Sequence, residues 1–119
     1  MSESPQDIKD RSFDFAVRII RLCQELEKKP GVSRTLAYQI LRSGTSIGAN
    51  IEEANGSQSK ADFTAKMYIS RKEARETHYW LRLFLKTEII DPSRLEPILD
   101  EANQLIAILT TIVKKSRSN

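Results

Sequence analysis

Lys60-Ala-Asp-Phe-Thr-Ala-Lys-Met-Tyr-Ile-Ser-Arg-Lys-Glu-Ala-Arg-Glu-Thr-His-Tyr-Trp-Leu-Arg-Leu-Phe-Leu-Lys-Thr87 contains neither proline nor glycine, and its pattern decides the fold. Phe63, Met67, Ser70, Ala74, Thr77, Leu81 and Phe84 alternate spacings of four and three without a break. That is a heptad seam, the signature of a helix that buries one face against other helices. Each large apolar side chain buried there contributes about 1.5–3 kcal/mol. A second line of the same rhythm, Ile69, Glu73, Glu76, Trp80 and Leu83, lies about 100° around the axis. A lone subunit needs one buried stripe per helix, so a second stripe holding Trp80 suggests contact with another copy, or a broadened core. A third line, Tyr68, Lys72, Arg75, Tyr79, Arg82 and Lys86, falls roughly opposite the seam.

The chain on either side repeats the helical rhythm. Gly56-Ser-Gln-Ser59 is a joint, with Ser59 and Asp62 resembling a capping box. Before it, a helix from a Ser33 cap to about Asn55 keeps Leu36, Ile40, Ser43, Ile47 and Ala54 on one face. Beside that face run Ala37, Leu41, Gly44 and Gly48. Glycine inside a helix costs about 1 kcal/mol relative to alanine, so Gly44 and Gly48 suggest close approach by another backbone, or a kink. Pro30-Gly31 ends a first helix, Phe13 to Lys28, whose stripe is Phe15, Ile19, Leu22 and Leu26, with Ala16, Ile20 and Cys23 alongside. On the other side, Asp91-Pro92 restarts the chain as cap and first turn. The helix that follows carries Leu95, Leu99, Ala102, Ile106, Leu109 and Val113, with Ile98, Leu105 and Ile112 beside them. Lys114, Lys115 and Arg117 suit its C-terminus.

Short joints imply neighbouring antiparallel helices. The expected fold is therefore all-α, an up-down-up-down four-helix bundle over residues 12–115, between a loose segment 1–11 and a tail 116–119. At 119 residues the chain can bury a core without disulfides, and 39% hydrophobic with 29% charged residues is an ordinary globular balance. One cysteine, Cys23, excludes an intrachain disulfide and favours a reducing compartment. No apolar run reaches membrane-spanning length, and Met1 to Asp7 lacks the basic and apolar parts of a secretory signal. A cytoplasmic protein with no membrane partner is expected. The net charge of +3 permits a polyanionic partner.

Most catalytic and metal chemistries lack their residues. A di-iron bundle needs Glu-x-x-His on two helices; the only histidine, His78, follows Arg75 at that spacing. One cysteine and one histidine do not make a zinc site, and Gly44 and Gly48 lack the Lys-Ser/Thr of a phosphate loop. Glu73 and Glu76, one turn apart, could form an acid–base dyad, but Arg71, Lys72 and Arg75 offer ion pairs instead. No enzyme, no catalytic residue, no metal and no cofactor are expected. The tyrosines and cations of the third line, with Arg18 and Arg21 on the first helix, are candidate nucleic-acid contacts: Tyr68, Lys72, Arg75, Tyr79, Arg82 and Lys86 could hold phosphates and stack bases. Ile69, Glu73, Glu76, Trp80, Leu83, Gly44 and Gly48 are candidate oligomer contacts. The alternative is a protein–protein scaffold whose charge serves solubility.

Ser46-Ile-Gly-Ala-Asn-Ile-Glu-Glu-Ala54, Ser59-Lys-Ala-Asp-Phe63 and Glu73-Ala-Arg-Glu-Thr-His-Tyr-Trp-Leu81 resemble the bacterial four helix bundle family encoded in intervening sequences of large-subunit ribosomal RNA. The resemblance runs from about Phe13 to Val113. It implies a homo-oligomer, typically a homopentamer, without enzymatic activity. It is also similar to accessory proteins of diversity-generating retroelements, which implies RNA or DNA and a reverse transcriptase as partners. Many relatives carry a basic pair before the serine that matches Ser59. This chain has Gly56-Ser57-Gln58 there, with less positive charge.

Overall fold

The structure, a computed structural model, describes residues 5–118, with side chains from Asp7. Four helices make up the chain: α1 (Pro5–Leu26), α2 (Val32–Asn55), α3 (Lys60–Thr87) and α4 (Pro92–Arg117). They form a compact four-helix bundle in which α2 and α3 pack most extensively and α1 and α4 least, while no Cα atoms of α1 and α3 come within 8 Å of each other.

The boundaries follow local chemistry. Ser59 caps α3, its hydroxyl accepting the Asp62 N–H at 3.0 Å. Asp91 caps α4 by accepting the Ser93 N–H at 2.9 Å and the Ser93 hydroxyl at 2.8 Å. Both bonds hold the Asp91 carboxyl below its ordinary pKa. The expected Ser33 cap is displaced: α2 starts at Val32 behind Gly31, whose φ of 89° is open to glycine at little cost, and no side chain caps it.

The expected loose segment 1–11 is helical from Pro5, and residues 1–4 lie outside the described part. Ile8 is fully buried, and Arg11 makes a two-pronged contact with Glu101, Nε to Oε2 at 3.1 Å and Nη2 to Oε1 at 2.8 Å. A polar-looking stretch is thus ordered by one buried isoleucine and long-range ion pairs that periodicity does not reveal. At the other end, α4 continues through Ser116, whose hydroxyl meets that of Thr64 on α3, to Arg117. Asn119, the end of the expected tail, lies outside the described residues.

The core follows the stripes closely. Met67, Ser70, Ala74, Thr77, Leu81 and Phe84 of the α3 seam are buried, and Phe63 is half-buried. On α4 the buried line is Leu95, Ile98, Ala102, Leu105, Leu109 and Val113, so the face is turned toward Ile98 and Leu105, leaving Leu99 and Ile106 half-buried. The α2–α3 seam is lined by small residues and hydroxyls. Ser70 donates to the Ile47 carbonyl at 2.8 Å, and Thr77 lies 2.9 Å from the Ser43 hydroxyl and 2.8 Å from the Glu73 carbonyl. Buried polar groups are tolerated when each has a partner, and these do.

Gly44 and Gly48 do mark a close approach, but the approaching element is α1 of the same chain. A Cβ on Gly44 would sit 2.9 Å from Ile19 Cγ2, and one on Gly48 would sit 3.3 Å from the Ser12 hydroxyl. Gly44 is buried within the subunit and Gly48, half-buried, meets Ser12 there, so α1 accounts for both glycines without a second copy. Among the described residues no helix is long and apolar enough to cross a membrane.

Candidate nucleic-acid interface

α3 carries different chemistry on its two flanks. Toward α2 lie Glu73 and Glu76, and their partner is Arg42 of α2 rather than the neighbouring cations of their own helix. Arg42 Nη1 is 3.5 Å from Glu73 Oε1, and Nη2 pairs with Glu76 Oε2. Positions 71 and 73 are two apart, about 200° around the axis, so Arg71 faces away from Glu73. Glu76 Oε2 also accepts the Trp80 indole N–H at 3.2 Å. Trp80 is half-buried, packs on the core, and meets Tyr79 edge-on with ring centroids 5.2 Å apart. Its N–H is satisfied inside the subunit. Ile69 and Leu83, on the same line, are half-buried.

The outer side of α3, extending toward α4, is cationic. Tyr68, Lys72, Arg75, Tyr79, Arg82 and Lys86 are all exposed. From Tyr68 to Lys86 this face is about 27 Å long, at 1.5 Å per residue. Tyr68, Arg71, Lys72 and Arg75 line a concavity of about 170 Å³. Arg117 of α4 lies over the Tyr68 ring at 5.3 Å from its centroid, and Arg82 lies over the Tyr79 ring at 5.7 Å. The two tyrosines are therefore platforms with an arginine already on one face, a cation–π arrangement that adds charge to each ring. α4 contributes no acid to its half of this surface: Ala102 to Ser118 contains no aspartate or glutamate.

Arg18 and Arg21 do not join that surface. They line a groove of about 270 Å³ between α1 and α4 together with Glu25 and Arg94, which pair with each other. Because α1 and α3 lie diagonally, with no Cα atoms within 8 Å of each other, these two arginines form a separate basic spot, with a carboxylate inside it.

The sequence reading passed over two features. Arg71, assigned there only a role as an ion-pair partner for the glutamates, lines the concavity, and its Nε is buried without a hydrogen-bond partner. The clue available was its spacing of seven from Thr64, which places both on the α4 side of the helix. The most exposed large apolar residues are on α1 and α2: Phe13 at 68%, Val32 at 69% and Tyr38 at 67%. The row Phe13, Ala16, Val17 and Ile20 has helical spacing and could have been seen as a second α1 stripe.

The remaining reactive groups are quiet. Burial, and then Glu27, push the Cys23 thiol up to about 11, and its Sγ donates to the Ala37 carbonyl at 3.4 Å. A thiol so raised is a poor nucleophile at neutral pH. Partial burial, and then Arg82, hold His78 below its ordinary value. Among the described residues no cluster of three or more His, Cys, Asp or Glu is arranged to hold a metal ion.

Among solved structures, a protein of unknown function from the S23 ribosomal protein family of Bacteroides thetaiotaomicron VPI-5482 is similar to this chain. It is 46% identical, with a TM-score of 0.84, over 90% of this chain and 98% of that one. No curated protein matches. Residues 5–111 match the sequence profile described as 23S rRNA-intervening sequence protein, which spans all of α1 to α3 and most of α4. The chain therefore belongs to the 23S rRNA-intervening sequence protein family.

Proposed function

We propose that this chain is a non-enzymatic RNA-binding bundle whose contact surface is the outer face of α3 and the adjoining half of α4. One observation carries the reading: six exposed cation and tyrosine positions on α3, from Tyr68 to Lys86, contain no acid and adjoin an acid-free stretch of α4. Phosphates neutralise such a surface and release counterions, which is the main source of affinity for nucleic acid. The family description mentions 23S rRNA, so a ribosomal RNA fragment is the first nucleic acid to test. The carboxylate pair Glu73 and Glu76 is tied to Arg42, which supports a role without catalysis. In this reading the helices alternate up and down and the protein works in the cytoplasm. The pairs Arg11–Glu101 and Glu25–Arg94, and Ser43–Thr77 and Ile47–Ser70, support the antiparallel order.

Fluorescence anisotropy with a labelled ribosomal RNA fragment tests this. With about five phosphate contacts on a single strand, affinity falls about 100-fold between 50 and 200 mM salt. Equal affinity at both salt concentrations, or no binding at either, would refute the proposal.

A second observation favours self-association, at a place other than the Trp80 edge. Two rows, Lys9–Phe13–Ile20–Glu27 on α1 and Arg34–Tyr38–Glu52 on α2, are joined at both ends. Lys9 pairs with Glu52 at 3.4 Å, and Arg34 donates to the Glu27 carbonyl at 3.2–3.3 Å. Between those ends the face is apolar, with Phe13, Ile20 and Tyr38 exposed. Its Phe13 end is flanked by exposed Asp10, Asp14 and Glu53, and its Tyr38 end by exposed Lys28 and Lys29. A second copy turned end for end sets acid against base across that apolar centre, as a two-fold interface requires. Light scattering of Phe13→Asp and of Trp80→Ala discriminates between the faces. Phe13→Asp yields a monomer while Trp80→Ala keeps the assembly; the reverse result moves the interface to α3.

A further inference from the structure

Arg71 occupies an unusual position. It lies on the α4 side of α3, seven residues after Thr64, whose hydroxyl meets Ser116 of α4. Its Nε is buried and makes no hydrogen bond among the described residues, although Arg71 as a whole is only half-buried. Buried donors without an acceptor are rare in folded proteins and call for an explanation, a bound ion among them. Glu73 Oε1, on the α2 side, likewise makes no hydrogen bond but has the Arg42 guanidinium 3.5 Å away.

The surroundings all point to an anion. Lys72 and Arg75 complete the wall with Tyr68, whose ring carries Arg117 on one face. No carboxylate offsets them. Glu73 and Glu76 turn toward α2 and engage Arg42, and α4 has no acid from Ala102 to Ser118. The concavity, about 170 Å³, exceeds the ~150 Å³ that holds a benzene-sized guest. A guanidinium presents parallel N–H groups that match the two free oxygens of a phosphodiester, whereas a lysine offers a single point charge.

We propose that the Tyr68–Arg71–Lys72–Arg75 concavity is a phosphate site that takes one backbone phosphodiester of the bound RNA, with Arg71 as its two-pronged anchor. The proposal rests on the RNA-binding reading above and adds to it a fixed register point: the other α3 cations act through charge, Arg71 through geometry. Its two neighbours supply the field that draws the phosphate in, and Tyr68 closes the edge.

The test uses the full chain labelled with ¹⁵N. The Arg71 Nε–H resonance is followed by NMR during titration with inorganic phosphate, and separately with the ribosomal RNA fragment. Binding of the same RNA is then compared for wild type, Arg71→Lys and Arg34→Lys, each confirmed as folded by circular dichroism. Both titrants should shift the Arg71 resonance. Arg71→Lys, which keeps the charge, should weaken RNA binding by about tenfold, and Arg34→Lys, on α2 outside the surface, by less than about twofold. RNA binding that leaves the Arg71 resonance and the Arg71→Lys affinity unchanged would overturn the site and leave the RNA-binding reading intact. A shift with inorganic phosphate but no RNA binding would overturn the RNA assignment, with free phosphate as the ligand. Equal losses in the two lysine variants would overturn the anchoring role and reduce Arg71 to one charge among several.

Discussion

The α2-side and α4-side flanks of α3 both carry charged and aromatic side chains and do opposite things. Toward α2, two glutamates meet one arginine, and the tryptophan N–H joins the same carboxylate. Charge there is consumed within the fold. Toward α4, Arg82 and Arg117 lie over tyrosine rings and Arg71 and Arg75 line the concavity beside Tyr68, with no acid among them. Charge there remains available to a partner. Counting charges along α3 would average the two flanks and hide both. What matters is which neighbouring segment supplies the counter-charge: Arg42 of α2 does so, while the stretch Ala102 to Ser118 of α4 holds no acid.

The comparison is broken most directly by reversing charge on one flank. Replacing Arg71, Lys72 and Arg75 together by glutamate should lower RNA affinity by at least about 100-fold, about 2.7 kcal/mol, while far-ultraviolet circular dichroism is unchanged. Glu73→Gln with Glu76→Gln should leave RNA affinity within about twofold, since these side chains face α2. Anisotropy on the two variants side by side decides whether the flanks differ in function. Arg42→Ala attacks the other flank. It leaves Glu73 and Glu76 without their partner and should lower stability by about 1 kcal/mol in urea unfolding, a modest figure because Arg42 is 41% exposed. Arg75→Ala, on the unpaired flank, should change stability by less than about 0.5 kcal/mol.

Smaller effects sharpen the picture. Trp80→Phe keeps a ring on the core and removes only the bond to Glu76, so a loss of about 0.5–1 kcal/mol is expected by thermal unfolding. The smallest effect is His78. Its pKa is lowered in the fold, so the unfolded chain binds the proton more readily. Stability should decline slightly as pH falls below the ordinary histidine value toward the lowered one, and His78→Gln should remove that slope. Cys23 gives an independent check on the core: with its thiol raised to about 11, it should resist thiol reagents at neutral pH until the protein unfolds.

Helical existence and most of the buried face were legible without coordinates. The α3 range and its seam read directly from a proline- and glycine-free run with one unbroken rhythm, and Phe15, Ile19, Leu22 and Leu26 did the same for α1. Boundaries were less legible, because Val32 starts α2 behind a glycine that offers no side-chain cap, and α1 begins earlier than its polar sequence implies. The candidate site was half-legible. Exposure of the Tyr68-to-Lys86 line followed from its position opposite the seam. Separation of Arg18 and Arg21 from it did not, because that depends on α1 and α3 sitting diagonally.

Periodicity alone determined that this chain makes four amphipathic helices and that the outer side of the third is cationic, because helical geometry is local and each face is set by residues within a few turns. Only the tertiary structure decided that Arg42 pairs with Glu73 and Glu76, that Gly44 and Gly48 admit α1, and that the Nε of half-buried Arg71 is left without a hydrogen-bond partner beside Lys72 and Arg75. Those outcomes depend on which helices become neighbours and at what rotation, and packing of distant segments sets that choice.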